Sequence, residues 1–293
     1  MTPPFPQELW DPVIDEMRSN VANLRACSLV RRTWQSRSQR HLFNSLALFN
    51  AASVAAFREI IERSSAIATY VRHLLIQDSD YPTQKWAVGS PSEMRSILLK
   101  LVNVQSLDLD YLDVKAIFQA GIGPETFPLL KKLHMRGLRC AEPATLASIL
   151  LLMPRLEKVS LNRLRFSSPE RLWNPDIPAT ERKPFQLRSL HLNFLTLDPP
   201  RSTEGNHALG MQLGRLFAKV DRVAAFIYCS SDIATIGGLV ASLGSSLCHL
   251  GLHAVWEADR DYDSLNGELK PQNPLLQAAN DHVLSYRGDL RQS

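Results

Sequence analysis

Val104-Gln105-Ser106-Leu107-Asp108-Leu109 is the stretch that decides the fold, because it returns. Twenty-six residues on, the same places hold Leu130, Leu133 and Met135, and after another 26 they hold Leu156, Val159 and Leu161. Leu187-Leu190-Leu192 is a fourth clear copy. Weaker copies are Val71-Leu74-Ile76, Val223-Phe226-Tyr228 and Leu247-Leu250-Leu252, with Phe43-Leu46-Leu48 as a first one. Outside the middle of the chain the spacing runs from 24 to 36 residues. The last two apolar positions of each copy are one residue apart, the period of a strand with one buried face.

Between the copies lie stretches with helical character: 51–63, 91–101, 143–152, 207–219 and 232–243. One strand and one helix cannot bury their own apolar faces, so neighbouring units must stack into a continuous core. The expected fold class is α/β: a small three-helix N-terminal module, then an irregular solenoid with a curved parallel sheet. A doubly wound α/β sheet also alternates strand and helix. The shared strand pattern and the lack of a glycine-rich strand-to-helix turn argue against it.

The pattern resembles the leucine-rich-repeat family. That family usually places Asn or Cys three residues after the third apolar position. Here those positions hold Leu112, Leu138, Leu164, Leu195 and Val255, so the turns should be built differently.

Residues 1–42 form a separate unit ahead of the array at 43–256. Phe5-Pro6-Gln7-Glu8-Leu9-Trp10 opens a helix, with proline where a missing N–H costs nothing. Leu9, Val13, Ile14 and Met17 make an apolar stripe at helical spacing. Ser19 and Asn20 interrupt it and offer a cap. A second stripe runs from Leu24 through Cys27, Ser28 and Val30 to Trp34. Three helices in about 40 residues make a core near the lower limit of independent stability, so some apolar side chains should await a partner.

Phe5-Pro6-x-Glu8-Leu9, Ile14, and Leu24-Arg25-Ala26-Cys27-Ser28-Leu29-Val30-x-x-x-Trp34 together resemble the F-box. With Arg40-His41-Leu42-Phe43 added, the first 48 residues look like the F-box proteins of mushroom-forming fungi; Phe5 stands where Leu is commoner. The resemblance implies docking on the Skp adaptor of a cullin–RING ubiquitin ligase. It assigns the contact by position to Pro6, Leu9, Ile14, Leu24, Cys27, Val30 and Trp34. The competing reading makes Leu9, Ile14 and Leu29 internal core. Arg31, Arg32, Arg37 and Arg40 also invite a DNA-reading helix. The apolar stripe through the same segment and the preceding Glu8, Asp11, Asp15 and Glu16 favour a solvated basic face.

In each strand the residues between the buried positions point to the opposite, concave face. These are His73, Leu75 and Gln77; Ser106, Asp108 and Asp110; Lys132, His134 and Arg136; Lys158, Ser160 and Asn162; Ser189, His191 and Asn193; and His249 and His253. Five of the eight histidines fall on this face. Asp108, Lys132, His134, Arg136, Lys158 and His191 are the candidate substrate contacts. A face positive around Lys132, His134, Arg136 and Lys158 suits an acidic or phosphorylated segment. The competing reading is a solvated sheet with incidental charge.

His249 and His253 are about 13 Å apart at strand spacing, too far to share a metal. Asp108 and Asp110 alternate with leucines as any exposed strand face does. No nucleophile elbow, zinc-protease helix or Cys/His nucleophile signature occurs, so neither an enzyme nor a cofactor is expected. Net charge is +4, which permits nucleic-acid or membrane contact without arguing for it. Cys27, Cys140, Cys229 and Cys248 form no C-x-x-C pair, and neither a signal peptide nor a membrane-length apolar run is present. An intracellular protein, cytoplasmic or nuclear, is expected.

Residues 257–293 are first acidic and loop-like, with Glu257, Asp259, Asp261, Asp263 and Glu268. A closing helix or a disordered tail follows. The expected function is substrate recruitment to a Skp–cullin–F-box ligase, with a ligase-independent leucine-rich-repeat scaffold as the alternative.

Overall fold

The computed structural model describes residues 7–77, 90–112, 121–122, 125–140, 146, 149–150, 153–166, 187–197, 203–217, 219–228 and 230–254. The strands are β1 (Ser45–Leu48), β2 (His73–Gln77), β3 (Ser106–Asp110), β4 (Lys132–Arg136), β5 (Arg139–Cys140), β6 (Lys158–Phe166), β7 (Leu187–Leu197), β8 (Val220–Ile227) and β9 (His249–Ala254). They form one sheet in chain order, all parallel, with β5 set off the path as a second partner of β6. Every copy of the sequence pattern, including the first at Leu46 and Leu48, contributes a strand.

Parallel neighbours need a crossover. Described crossover helices are α4 (Ala51–Arg63), α5 (Pro91–Leu98), α6 (Thr203–Leu216) and α7 (Ser230–Leu243). Local chemistry starts each one. Asn50 and Ser53 form a reciprocal capping box on α4. Ser90 caps α5, with Pro91 in its first turn. The Asp232 carboxylate accepts from the Tyr228 N–H at 2.9 Å at the start of α7. Of the helix expected at 143–152, only residues 146, 149 and 150 are described, and all three are helical.

Two rows of apolar side chains cross the sheet in register. One runs Leu46, Leu74, Leu107, Leu133, Val159, Leu190, Val223 and Leu250; the other runs Leu48, Ile76, Leu109, Met135, Leu161, Leu192, Ala225 and Leu252. Helix residues such as Phe57, Ile97, Leu213 and Leu239 join the same cluster, so the helices cover this face.

One expectation is corrected. The copy read as Val223-Phe226-Tyr228 is Val220-Val223-Ala225, because Val220, Val223 and Ala225 pair with Leu187, Leu190 and Leu192 and are buried. With an even period, a one-residue slip exchanges the two faces, and Phe226 therefore joins the polar side. The small Ala225 coincides with unusually close helices above it. A Cβ on Gly210 would collide with the Thr235 carbonyl, and one on Gly238 with the His207 carbonyl, so α6 and α7 touch backbone to backbone.

The turns after β3, β4 and within β6 share one device. Tyr111, Gly137 and Arg163, each one residue past the matching strand position, have φ of 57°, 65° and 54°. A left-handed residue redirects the chain, so the next residue re-enters the core; Leu112, Leu138 and Leu164 are buried there. Backbone bonds support these turns: the Tyr111 N–H donates to the Arg136 carbonyl at 2.7 Å, and the Gly137 N–H to that of Asn162 at 2.8 Å. The Leu195 side chain and Val255 lie outside the described residues.

The N-terminal helices are α1 (Gln7–Glu16), α2 (Val21–Val30) and α3 (Arg32–Leu42). Asn20 caps α2 by accepting from the Asn23 N–H at 3.0 Å. Arg31 is extended and separates α2 from α3. Phe43, directly after α3, packs on the core of the array. Among the described residues no helix is long and apolar enough to cross a membrane. Cys27, Cys140 and Cys248 are free thiols.

Candidate functional site

Two surfaces carry the residues singled out from the sequence. The first is on α1–α3. Ile14 and Leu24 are each 1% exposed and form the interior of the module. That corrects the contact role expected for them: a side chain already buried by its own fold has no surface to give a partner. Trp34 packs against Trp10 in a tilted pair with ring centroids 4.5 Å apart, and Cys27 lies half-buried with its sulfur 3.9 Å from that of Met17. Leu9 and Val30 are exposed, joined by Val13, Val21 and Leu29, which is 87% exposed. The reading of Leu9 and Leu29 as core therefore fails, while that of Ile14 holds. Pro6 lies outside the described residues.

An ionic clamp closes the module. Arg37 on α3 donates two hydrogen bonds to Asp15 on α1, one of 2.7 Å from Nε, and lies 3.8 Å from Asp11. His41 Nε2 reaches the same carboxylate at 2.7 Å. The Arg37 and His41 hydrogen bonds hold the Asp15 carboxyl well below the usual carboxylate range. Arg40 lies 6.0 Å from the centroid of the Tyr70 ring. Arg37 and Arg40 are thus engaged within the fold. Both the acids and the arginines were visible in the sequence, but their pairing needed α1 and α3 side by side.

The second surface is the polar face of the sheet. The register brings every expected contact onto it: Asp108 pairs with His134, His134 with Ser160, Ser160 with His191, and Lys132 with Lys158. His134 and His191 are separated by one intervening strand, as expected. His73, His191, His249 and His253 are exposed and His134 is half-buried. The corrected register adds Arg222, Ala224 and Phe226, which the sequence reading missed. The signal was present in Val220 and Val223, whose spacing matches Leu187 and Leu190. Phe226 stacks on His253 with ring centroids 5.1 Å apart.

The rows across this face differ. At the far end stand Asp110, Arg136, Asn162 and Asn193. The Arg136 guanidinium lies 5.7 Å from the centroid of the Tyr111 ring, and that ring fills the space a Cβ on Gly137 would need. Burial pushes the Asp110 carboxyl up, against the opposing pull of Arg136 and His134. His134 Nε2, Arg136 Nε, Asn162 Oδ1 and Asn193 Oδ1 are shielded and have no hydrogen-bond partner among the described residues. His191 of the middle row reaches toward the near row, with its Nε2 2.9 Å from the Ser189 hydroxyl. The near row holds Lys132, Lys158, Ser189 and Arg222 in register.

Among the described residues no group of three or more His, Cys, Asp or Glu side chains is placed to hold a metal. A scan against protein-family models found no match for this chain, and a search of the curated proteins found no relative.

Proposed function

We propose that the protein is a substrate-recognition adaptor of a Skp–cullin–F-box type ubiquitin ligase, acting in the cytoplasm or nucleus. In this reading α1–α3 dock on the Skp adaptor, and the sheet is the curved sheet of a leucine-rich-repeat solenoid. A target protein sits on its polar, concave face, over Asp108, Lys132, His134, Arg136, Lys158 and His191. The chain itself carries out no catalytic step.

The observation that supports it best is where α1 and α2 put their apolar side chains. Leu9, Val13, Val21, Leu29 and Val30 are exposed on a module whose interior holds little beyond Ile14, Leu24 and the Trp10–Trp34 pair. A module that leaves this much apolar surface uncovered is built for a partner.

The test is capture of the Skp adaptor by the full chain and by a Leu9→Asp, Val30→Asp variant, with circular dichroism confirming equal helix and strand content. Both positions are exposed, so the variant should fold and lose the adaptor. Failure of the wild-type chain to bind would withdraw the ligase reading and leave a repeat scaffold that acts without a ligase.

A further inference from the structure

The two ends of the sheet are finished differently. From β2 to β8 the strand residues of both apolar rows are no more than 2% exposed. At the first strand Leu48 is still fully buried. At the last strand, β9, Leu250 is 42% exposed and Leu252 is only half-buried. Among the described residues β9 pairs with β8 alone. Its outer edge is therefore a line of backbone N–H and C=O groups beside incompletely covered leucines. Natural edge strands are commonly protected from pairing by lysine or proline. His249-Leu250-Gly251-Leu252-His253-Ala254 contains neither.

The same strand reads alike in both directions. His249-Leu250-Gly251-Leu252-His253 is a palindrome about Gly251. A two-fold axis through Gly251, perpendicular to the sheet, sets a second β9 antiparallel to the first. Leu250 then meets the partner's Leu252 on the helix-covered side, and His249 meets the partner's His253 on the polar side. A two-fold interface demands this reciprocity, because each residue must suit the one it meets across the axis. The register also suits the backbone. Groups two residues apart on a strand point the same way, so the outward N–H and C=O groups of one copy face those of the other. Gly251 sits on the axis, and its own chain does not require a glycine there. Its φ is not left-handed, and a Cβ would lie 3.9 Å from His253 Nε2 and 4.0 Å from the Val223 carbonyl oxygen, ordinary contact distances. A glycine inside a strand weakens it and often marks the close approach of another backbone.

We propose that β9 is a self-association edge: two copies of the chain join about Gly251 into one continuous sheet, and Leu250 and Leu252 of each copy cover those of the other. The occupant is a second copy because the strand is complementary to itself. The contact is one strand wide, at the small end of protein interfaces, so the dimer forms and separates with protein concentration. This goes beyond the adaptor reading and does not depend on it.

The experiment uses the full chain. In sedimentation equilibrium the mass of the wild type should climb with concentration toward twice that of one chain. Leu250→Lys sets a charge against the partner's Leu252 on both sides of the axis. It should weaken self-association about tenfold or more, with an unchanged circular dichroism spectrum. Ala254→Cys reads the register. In the proposed pairing position 254 faces the partner's Cys248 at a Cα separation of about 4.5–5.5 Å, which a disulfide accepts. Within one chain the two positions are about 20 Å apart, so the link can form only between copies. Mild oxidation should therefore give covalent dimers, and mass spectrometry should find Cys248 joined to position 254. A monomer at every concentration overturns the proposal, whatever then covers the edge. So does a dimer without that link, which uses another register or surface, and so does a dimer that a folded Leu250→Lys leaves intact. If Leu250→Lys does not fold, the wild-type mass and the link decide between them. None of these readouts involves the Skp adaptor, so failure here leaves the adaptor reading standing.

Discussion

Ile14 and Leu24 are the buried apolar core of α1–α3, whereas the elements that follow share one uninterrupted cluster reaching from Leu48 to Leu243. The difference follows from construction. Each strand and its crossover helix pack against their neighbours along the sheet, so each added pair extends the same core. Three short helices have no such neighbour except where α3 meets the array at Phe43 and Tyr70. They compensate with an ionic clamp and a tryptophan pair, and they leave apolar surface uncovered. The array does the reverse: it buries its apolar rows from Leu48 and Leu74 to Val223 and Ala225 and keeps Lys132, Lys158 and Arg222 exposed on the polar face.

The comparison breaks most readily in the array. Leu133→Ala, in the middle of the cluster, should cost about 2–5 kcal/mol in urea denaturation. If the helices of residues 7–42 lose amide protection in the same transition, module and array are one cooperative unit and the contrast fails. Gly210→Ala should cost about 1–3 kcal/mol, since the added methyl meets the Thr235 carbonyl and α6 and α7 must separate. A melting temperature equal to wild type would mean that the helix layer yields freely there.

In the module the expected effects are smaller. Arg37→Ala should cost about 1 kcal/mol, because the pairs it makes are part-exposed and screened by solvent. It should also change the acid limb. Asp15 has a folded-state pKa below its unfolded value, so its stabilisation is complete above about pH 5 and is lost as pH falls through the unfolded carboxylate range, near 4, and below. Amide protection in residues 7–42, corrected for the intrinsic pH dependence of exchange, should therefore fall from about pH 4 downward in wild type and less steeply in the variant. Smallest of all, Leu29→Asp should alter stability by no more than about 0.5 kcal/mol. A larger loss would show that Leu29 packs against something in the folded chain, and the contrast between a partner-facing module and a self-sufficient array would weaken.

Much was legible before any coordinates, for a local reason. Alternation along a strand is a property of five or six residues, so Leu107 and Leu109 announce their face without reference to the rest of the chain. The same holds for α4, whose expected limits match because Asn50 and Ser53 cap it from adjacent positions. Placement of Asp108, Lys132, His134, Arg136, Lys158 and His191 on one face followed from that alternation.

Other features needed the tertiary structure. At β8 either Val223 and Ala225 or the more bulky Phe226 and Tyr228 could have faced inward, and pairing with Leu190 and Leu192 chose the former. Leu112, Leu138 and Leu164 return to the core because Tyr111, Gly137 and Arg163 turn left-handed just before them, a backbone state that only the glycine among them advertises. Ile14 and Leu29 look alike on paper; the crossing of three helices buried one and exposed the other. The sequence by itself determined which side of each strand is apolar, since that depends on period alone. Which strand register, which helix face and which charges find partners depended on elements far apart in the chain, and only their packing together decided them.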